Sequence, residues 1–357
     1  ADPEVWEREF RDRFGEAAAA VERGCRAASE VLPLITAFNL TKHPALWTWT
    51  ELDTGGALFA EHNHNPRFGD VTYASAEPSD PGLFYGIEEF VGDDLDGDLD
   101  GRYTPPQVAA WLSTFAETTR DALAAAAGDA PDTGEYRATE LDLGMLADLA
   151  GYHARKIHAA TALERYDETG DVAALRDAHG YALAMRDSWA SLADRGEGAY
   201  HDELVFGDGP GSAHVDELER LLAEEGAETA DPTGAPDRHR PATTPVAVEV
   251  PDQCAAGDPV EVRAETGALS GVDGLTLHYR HANQLEGEFE TIAMAETDGG
   301  YSGTIPAEYV TPEWDLLVYL TATRDGDGLV HPGLFHPEHA MPYYTVAVSE
   351  SEDERSR

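Results

Sequence analysis

The hydrophobic period of this chain changes once, and the change divides it. From Val5 to about residue 225 the apolar side chains recur at steps of three to five; from residue 245 to residue 348 they alternate. The first spacing gathers side chains on one stripe of a helix, and the second on one face of a strand. One segment type cannot serve both, so the sequence predicts a multidomain α + β chain. It has a mostly α-helical N-terminal domain over 1–225 and an antiparallel β-sandwich over 245–348. Between them 226–244 (GAETADPTGAPDRHRPATT) shows neither period and has the Pro/Gly/Thr/Asp content of a linker. The acidic tail 349–357 is expected to be disordered.

Within the first part, Val5, Phe10, Phe14, Ala17, Val21, Cys25, Ala28 and Leu32 mark a helix over 4–32, which Pro33 is expected to end. Residues 34–104 read as a long irregular segment rich in aromatics and His, with a short helix over 81–91. Thr104, Pro105 and Pro106 form a start signal, a capping residue ahead of prolines in the first turn. That helix runs to about Ala127. Another is expected from Thr139 to Thr169, with Leu141, Met145, Leu146, Leu149, Tyr152, Ile157 and Leu163 as its core contacts. Asp171 caps a third that runs to about Asp194, and 213–225 forms a short fourth. Strands are expected over 245–250, 258–264, 274–281, 288–295, 300–305, 315–323 and 342–348, separated by turns such as Asp298-Gly299-Gly300 and Asp325-Gly326. About seven short strands in roughly 100 residues is the sandwich pattern.

Charge bears on partners more than on fold. The 357 residues carry 69 Asp and Glu against 24 Lys and Arg, a net charge of −45, and lysine occurs only at 42 and 156. Chains this acidic are disordered when aromatics are scarce; here 6 Trp, 14 Tyr and 11 Phe argue for a packed core. An Asp/Glu-rich surface nearly devoid of Lys resembles the proteins of extreme halophiles, where salt screens the repulsion. Nucleic acid and anionic membrane, which call for a basic face, are excluded as expected partners. No apolar run approaches the ~20 residues of a membrane span. The first residue is Ala1 rather than Met, which fits a processed or excised piece. The charge accommodates an extracellular or cell-surface location, or the cytoplasm of a cell that accumulates salt. Cys25 and Cys254 stand far apart and are expected as free thiols.

The segment 39–70 concentrates chemistry. Trp47, Trp49, His62, His64 and Arg67 are the candidate substrate-binding residues, because indole faces stack on pyranose rings while imidazole and guanidinium groups bond sugar hydroxyls. The plainer reading is an irregular loop whose tryptophans anchor it. Glu51 and Asp53 are weak catalytic candidates, since glycoside hydrolysis uses two carboxyl groups roughly 5–9.5 Å apart. A metal on His62 and His64 lacks a third ligand at a diagnostic spacing. Asp96, Asp98 and Asp100 match the first acidic positions of a calcium loop, yet Gln107 stands where the bidentate Glu belongs. Ca2+ is thus a weak candidate and no cofactor is expected. No Walker A, G-x-S-x-G or dinucleotide fingerprint occurs.

Several stretches are familiar as patterns: WEREFRDRFG (6–15), AASEVLPLIT (27–36), TELDTGG (50–56), RYTPPQVAAWL (102–112), YHARKIHAATALERYDETGDVAAL (152–175), YHDELVFGDGPGSAHVDEL (200–218), LHYRHANQLEGEFETIAMAETDGGYSGTIPAEYV (277–310) and MPYYTVAV (341–348). Together they resemble the C-terminal region of large glycoside-hydrolase-like proteins of bacteria and archaea. In those a catalytic barrel is followed by helices and an immunoglobulin-like sandwich. The resemblance implies an Ig-like or fibronectin-like sandwich here and a catalytic barrel as a preceding partner. A barrel needs about 250 residues of alternating strands and helices, which 1–225 does not offer. No catalytic acid carries over to a position of this chain.

The function expected is a non-catalytic, carbohydrate-associated accessory region of a polysaccharide-acting protein, with a polysaccharide or oligosaccharide as partner. Two alternatives stay open: a stand-alone glycosidase or lyase using residues 47–67, and a surface protein-interaction module.

Overall fold

The structure is a computed structural model, in which residues 3–39, 56–63, 70–200, 211–233, 247–265, 272, 274–283, 289–324, 327–335 and 341–350 are described. They belong to two compact units. One comprises Ala1–Asp80, Gly86–Gly92 and Pro105–Arg240; the other comprises Pro81–Tyr85, Asp93–Thr104 and Pro241–Arg357.

The first unit is helical. Helices α1 (Pro3–Phe14) and α2 (Ala18–Ser29) are joined by a 3-10 turn, and α3 spans Val31–Asn39. The expected stop at Pro33 is overturned. The helix breaks one turn earlier, at Glu30, and Pro33 falls in the first turn of α3, where its missing N–H is not needed. Residues 34–39 are therefore helical rather than irregular, and Leu34, Ile35 and Phe38 are buried. Helix α4 spans Ile87–Asp96, later than the 81–91 expected. Residues 83–85 instead exchange backbone hydrogen bonds with Tyr103: Tyr103 N donates to Leu83 O (2.8 Å) and Tyr85 N to Tyr103 O (3.0 Å).

Helix α5 (Pro105–Ala126) begins on its two prolines. Helix α6 (Gly134–Thr169) starts one turn and more before the expected Thr139, because Thr133 caps it; its hydroxyl accepts from Tyr136 N at 3.2 Å. Asp171 caps α7 (Val172–Gly196) as its position suggests, accepting from Ala173 N at 2.9 Å. Helix α8 (Gly211–Glu224) packs on α7, and α6 packs between α5 and α7. Of the core contacts expected on α6, Leu149, Tyr152, Ile157 and Leu163 are buried, while Leu141, Met145 and Leu146 are half-buried. Alanines at 147, 150, 154, 159 and 160 are buried along the same helix and let its neighbours approach closely.

The second unit holds two sheets. Strands β1 (Val248–Glu249), β3 (Val260–Glu265), β7 (Gly300–Ile305) and β6 (Ala295–Thr297) form one in the order β1-β3-β7-β6. Strands β2 (Gln253–Ala255), β10 (Tyr344–Ser349), β8 (Leu316–Arg324), β4 (Thr276–His281) and β5 (Glu290–Ala293) form the other in the order β2-β10-β8-β4-β5, with β9 (Asp327–His331) also pairing β8. All pairs are antiparallel except β10 with β2. Alternate residues of both sheets meet in one apolar core: Val260, Val262 and Ile305 from the first, Leu277, Val318, Leu320 and Val346 from the second. A multidomain α + β chain with a C-terminal sheet region is thus the fold.

The expected strand 288–295 covers β5 and only the first residue of β6, and neither β2 nor β9 falls within an expected strand. The first pair changes sheets at Met294, whose N–H bonds Leu275 O while its side chain enters the core. Strand β2 has three residues, too few to show alternation.

Segments 81–85 and 99–103 lie with these strands. Tyr319 Oη donates to Gly82 O (2.5 Å), and Thr321 Oγ1 to Asp100 O (3.4 Å). Gly101 has φ +90°, and a Cβ on it would sit 2.6 Å from Ala322 O. Gly101→Ala is therefore expected to lower the free energy of unfolding by about 1–3 kcal/mol, from strain plus overpacking, and with it the denaturation midpoint. Gly92→Ala on α4, where a Cβ meets nothing within 4 Å, serves as the control and should be neutral or stabilising. Equal midpoints for the two variants would refute the close packing at Gly101.

Candidate functional site

Of the residues chosen from the sequence, Trp47, Trp49, Glu51, Asp53, His64 and Arg67 lie outside the described residues. His62 is within them, on a 3-10 turn, Ala60–His62. The turn is held from behind by the middle residue of the His-Asn-His run. Asn63 Oδ1 accepts from Ala57 N (2.7 Å), and its amide donates to Val71 O (2.8 Å). Tyr73 N donates to Ala57 O (2.7 Å), closing the same small frame. Gly56, with φ +83°, brings the chain to 3.0 Å of Asn63 Oδ1 at the point where a side chain would stand. So Asn63 fixes the backbone, and His62 is the side chain presented by it.

His62 meets a residue that the sequence did not single out. Its ring centroid is 5.4 Å from that of His214 on α8, edge to face, and Phe59 completes the cluster at 6.2 Å from His62 and 6.1 Å from His214. His62 is half-buried, whereas His214 is 0% exposed. Neither ring nitrogen of His214 has a hydrogen-bond partner among the described residues. Burial, then the positive charge of Lys156, then that of His62, push its pKa down to about 3. At neutral pH the ring is therefore uncharged, with one N–H donor and one bare acceptor.

Lys156 on α6 lies close behind, 1% exposed, its ammonium 4.4 Å from the Tyr73 ring centroid and 5.7 Å from that of Tyr152. Lysines are seldom buried this far, and the two rings supply cation–π contacts. Burial holds the Tyr73 phenol well above its ordinary pKa, so it is an O–H donor. Asn39, at the end of α3, donates to Tyr73 O (3.2 Å), and its buried Oδ1 has no partner among the described residues. Phe59, His62 and His214 thus form one ring cluster, and Lys156, with Tyr73 and Tyr152 around it, acts on that cluster through its charge on His214. Such a set bonds hydroxyls and packs against the apolar face of a ring.

His179 shows the contrasting case. It too is buried, but its Nδ1 accepts from Ala230 N (3.2 Å) and its Nε2 faces Glu219 at 3.6 Å. That histidine ties α7 to α8 and to the residues after it.

Two signals for the missed residues are present in the sequence. His214 occupies the apolar stripe of α8, in line with Leu218 and Leu222. Lys156 is one of only two lysines in the chain.

The acidic run 96–100 is differently engaged. Asp96, Asp98 and Asp100 are exposed, and Arg102 Nε pairs with the Asp100 carboxylate at 2.9 Å. Among the described residues no group of three or more His, Cys, Asp or Glu could hold a metal ion. Cys25 and Cys254 are free. No described helix is long and apolar enough to cross a membrane.

Known proteins place few constraints on this site. No protein-family model matches the chain, and no curated protein does. A solved structure, that of a GH138 enzyme targeting pectin rhamnogalacturonan II, is similar over 62% of this chain and 35% of its own, with 15% identity and a TM-score of 0.48. The chain thus spans about a third of that enzyme's length.

Proposed function

We propose that the chain is a carbohydrate-associated, non-catalytic accessory region of a glycoside-hydrolase-like protein, and that it holds a glycan at the His62 end of segment 39–70. The observation that carries this reading is the cluster of Phe59, His62 and His214 set against the buried Lys156, Tyr73 and Tyr152. It offers flat ring faces beside neutral and cationic hydrogen-bond groups, the combination that sugar rings require. The tryptophans 47 and 49, in the same segment, would extend the stacking surface. Residues 1–225 would carry the ligand, residues 226–244 would link, and the sandwich over 245–348 would serve as a spacer or docking module. The surface charge fits a salt-rich habitat.

The reading is for binding because ring faces and buried donors dominate the cluster, with Glu217 the carboxylate on which His62 acts. Hydrolysis by the usual route needs a pair of carboxyl groups.

A glycan array in concentrated KCl, with wild type, Trp47→Ala and His62→Ala side by side, tests the proposal. Wild type should bind a defined set of glycans, and each variant should lose about tenfold or more, as expected when an aromatic anchor is removed. Wild-type binding to no glycan would sink the proposal and favour a protein-interaction module. Turnover of a bound glycan that is lost in Glu51→Gln or Asp53→Asn would replace it with the stand-alone enzyme.

A further inference from the structure

We infer that the polar stripe of α6 between α5 and α7 is a site for an acidic sugar: Arg155 takes the carboxylate of a uronic acid, and the stacked rings of His158 and Tyr181 stand beside the sugar ring. This site is separate from the His62 cluster and does not rest on the reading given to that cluster.

The geometry comes first. Gly144, Asp148, Gly151, Arg155 and His158 follow one another on α6 at steps of three and four, so they share one stripe of the helix. The glycines leave room on it. A Cβ on Gly151 would stand 3.0 Å from Arg155 Nη1, 3.5 Å from Arg120 Nη2 and 3.7 Å from Ser188 Oγ. Two guanidinium groups and a hydroxyl, supplied by three helices, therefore converge on one small cradle. The surroundings are open to water. The Arg120 side chain is 41% exposed, and Arg155, His158, Tyr181 and Ser188 are half-buried. At the Asp148 end, an open pocket of about 560 Å3 lies along α7, lined by Asp187, Ala190, Ser191, Asp194 and Arg195.

Charge selects the ligand. Asp148 is engaged by Arg120, Arg195 and Ser191, and Asp187 by Arg186 at 2.9 Å. Glu117, Asp187 and Asp148 act on Arg155 through their charge, yet among the described residues Arg155 forms no ion pair. Its Nη1 donates to Gly151 O of its own helix (2.9 Å), and its buried Nε has no partner. With 69 acidic residues against 24 basic ones, a half-buried guanidinium left unpaired is an exception, and such exceptions concentrate at functional sites. Burial, then Arg120, lower the pKa of Arg155; burial, then Arg155, bring that of His158 down to about 4. Both groups thus feel a neighbouring cation, which disfavours a metal ion and favours an anion. Nη2 makes no bond and reaches solvent, and Nη1 keeps a second N–H. The end of the guanidinium thereby presents two donors, which match the two oxygens of a carboxylate. One turn further along α6, the neutral His158 ring stacks on Tyr181, with centroids 4.8 Å apart and planes at 17°. Such rings pack against the apolar side of a pyranose, and the buried Nε2 of His158 has no partner among the described residues.

The test uses the whole chain, labelled with 15N in its arginines, at one fixed concentration of KCl. It is titrated separately with the methyl glycosides of glucuronic and galacturonic acid, with the neutral methyl glucoside and galactoside, and with acetate. The Arg155 Nε–H resonance, identified by its loss in Arg155→Met, should shift with at least one uronide. That uronide should bind at least tenfold more tightly than its neutral parent or acetate. By calorimetry Arg155→Met should weaken it at least tenfold, while melting within about 2 °C of wild type or above it, because an unpaired charge is removed. Gly151→Ala fills the cradle while raising helix propensity, so it should also lose tenfold in affinity and melt within about 2 °C of wild type. The inference is overturned if no uronide moves the resonance, or if the neutral parent binds as tightly, since the carboxylate is then not read. Acetate binding as tightly as the uronide would overturn it too, because the rings would then play no part. So would an Arg155→Met variant that melts several degrees lower, or a Gly151→Ala variant that keeps its affinity. Uronide binding that is lost in Arg155→Met and kept in His62→Ala would uphold this site whether or not the His62 reading stands.

Discussion

Asp148→Ala is expected to destabilise the helical unit by about 3 kcal/mol, the lower end of the range for breaking a buried ion pair. Asp148 is 3% exposed on α6. Its Oδ1 accepts from Arg120 Nη2 (2.9 Å), and its Oδ2 accepts from Arg195 Nε (2.6 Å) and Ser191 Oγ (2.8 Å). Arg120 belongs to α5, Ser191 and Arg195 to α7, so one carboxylate binds three helices. Removing it leaves two guanidinium groups without their carboxylate, with Arg155 near enough to add repulsion to Arg120. The lower end applies because the two arginines are 41% and 43% exposed, so water recovers part of their solvation. Gly144 belongs to the same device: a Cβ there would stand 3.0 Å from Arg195 Nη1. Asp148→Asn, which keeps the shape and one acceptor, should lose less, about 1.5–3 kcal/mol. Denaturant unfolding in concentrated KCl, followed by circular dichroism, measures both. A loss under about 1 kcal/mol for the alanine variant would mean that the arginines find other partners and that packing alone holds the three helices.

The parts of this molecule that can be read from its sequence are those written in local signals. Thr104 with its prolines and Asp171 mark helix starts because capping and the first-turn tolerance for proline act within four residues. Strands β3 and β10 show alternation because their two faces meet different surroundings. What stayed hidden depends on partners distant in sequence. Pro33 breaks or begins a helix according to whether Glu30 ends the turn before it. Residues 81–85 hold off α4 because Tyr103 bonds their backbone.

The site divides in the same way. His62 draws notice because histidines 62 and 64 flank one asparagine in a loop, and its neighbour Asn63 proves to be the residue that fixes that loop. His214 shows itself only by its place on the apolar stripe of α8, in line with Leu218 and Leu222; that its nitrogens lack partners is not written there. Asp148 is hidden for a statistical reason: one buried carboxylate does not stand out among 69 acidic residues. Burial and orphaned polar atoms appear only when the helices are assembled.

Lowering KCl from 1 M to 0.1 M is expected to reduce the melting temperature by an amount on the order of 10 °C, equivalent to a few kcal/mol. The Debye length grows from about 3 Å to about 10 Å over that range, so carboxylates that ignore each other in concentrated salt begin to repel. The opposing term is the surface ion pairs, such as Arg26 with Glu22 and Arg220 with Glu217 and Glu224. These strengthen as salt falls, but exposed pairs are worth ~0–1 kcal/mol each, and a net charge of −45 leaves most carboxylates without a cation. Repulsion therefore wins. Glu164 shows the field locally. Burial, then Glu88, Asp167 and Glu168, raise its pKa to about 7, and burial with Glu168 raises that of Asp167. A carboxyl group whose folded pKa lies above its unfolded value is easiest to accommodate when protonated, so its contribution is lost as pH rises through the folded value. In dilute salt, moving from pH 8 to pH 6 should therefore recover part of the lost stability, and Glu164→Gln should reduce that recovery. Exchanging KCl for a neutral osmolyte separates screening from general exclusion effects, because the osmolyte leaves the Debye length unchanged. A melting temperature independent of KCl across this range would mean that bound counterions already neutralise the surface, and the repulsion argument would fail.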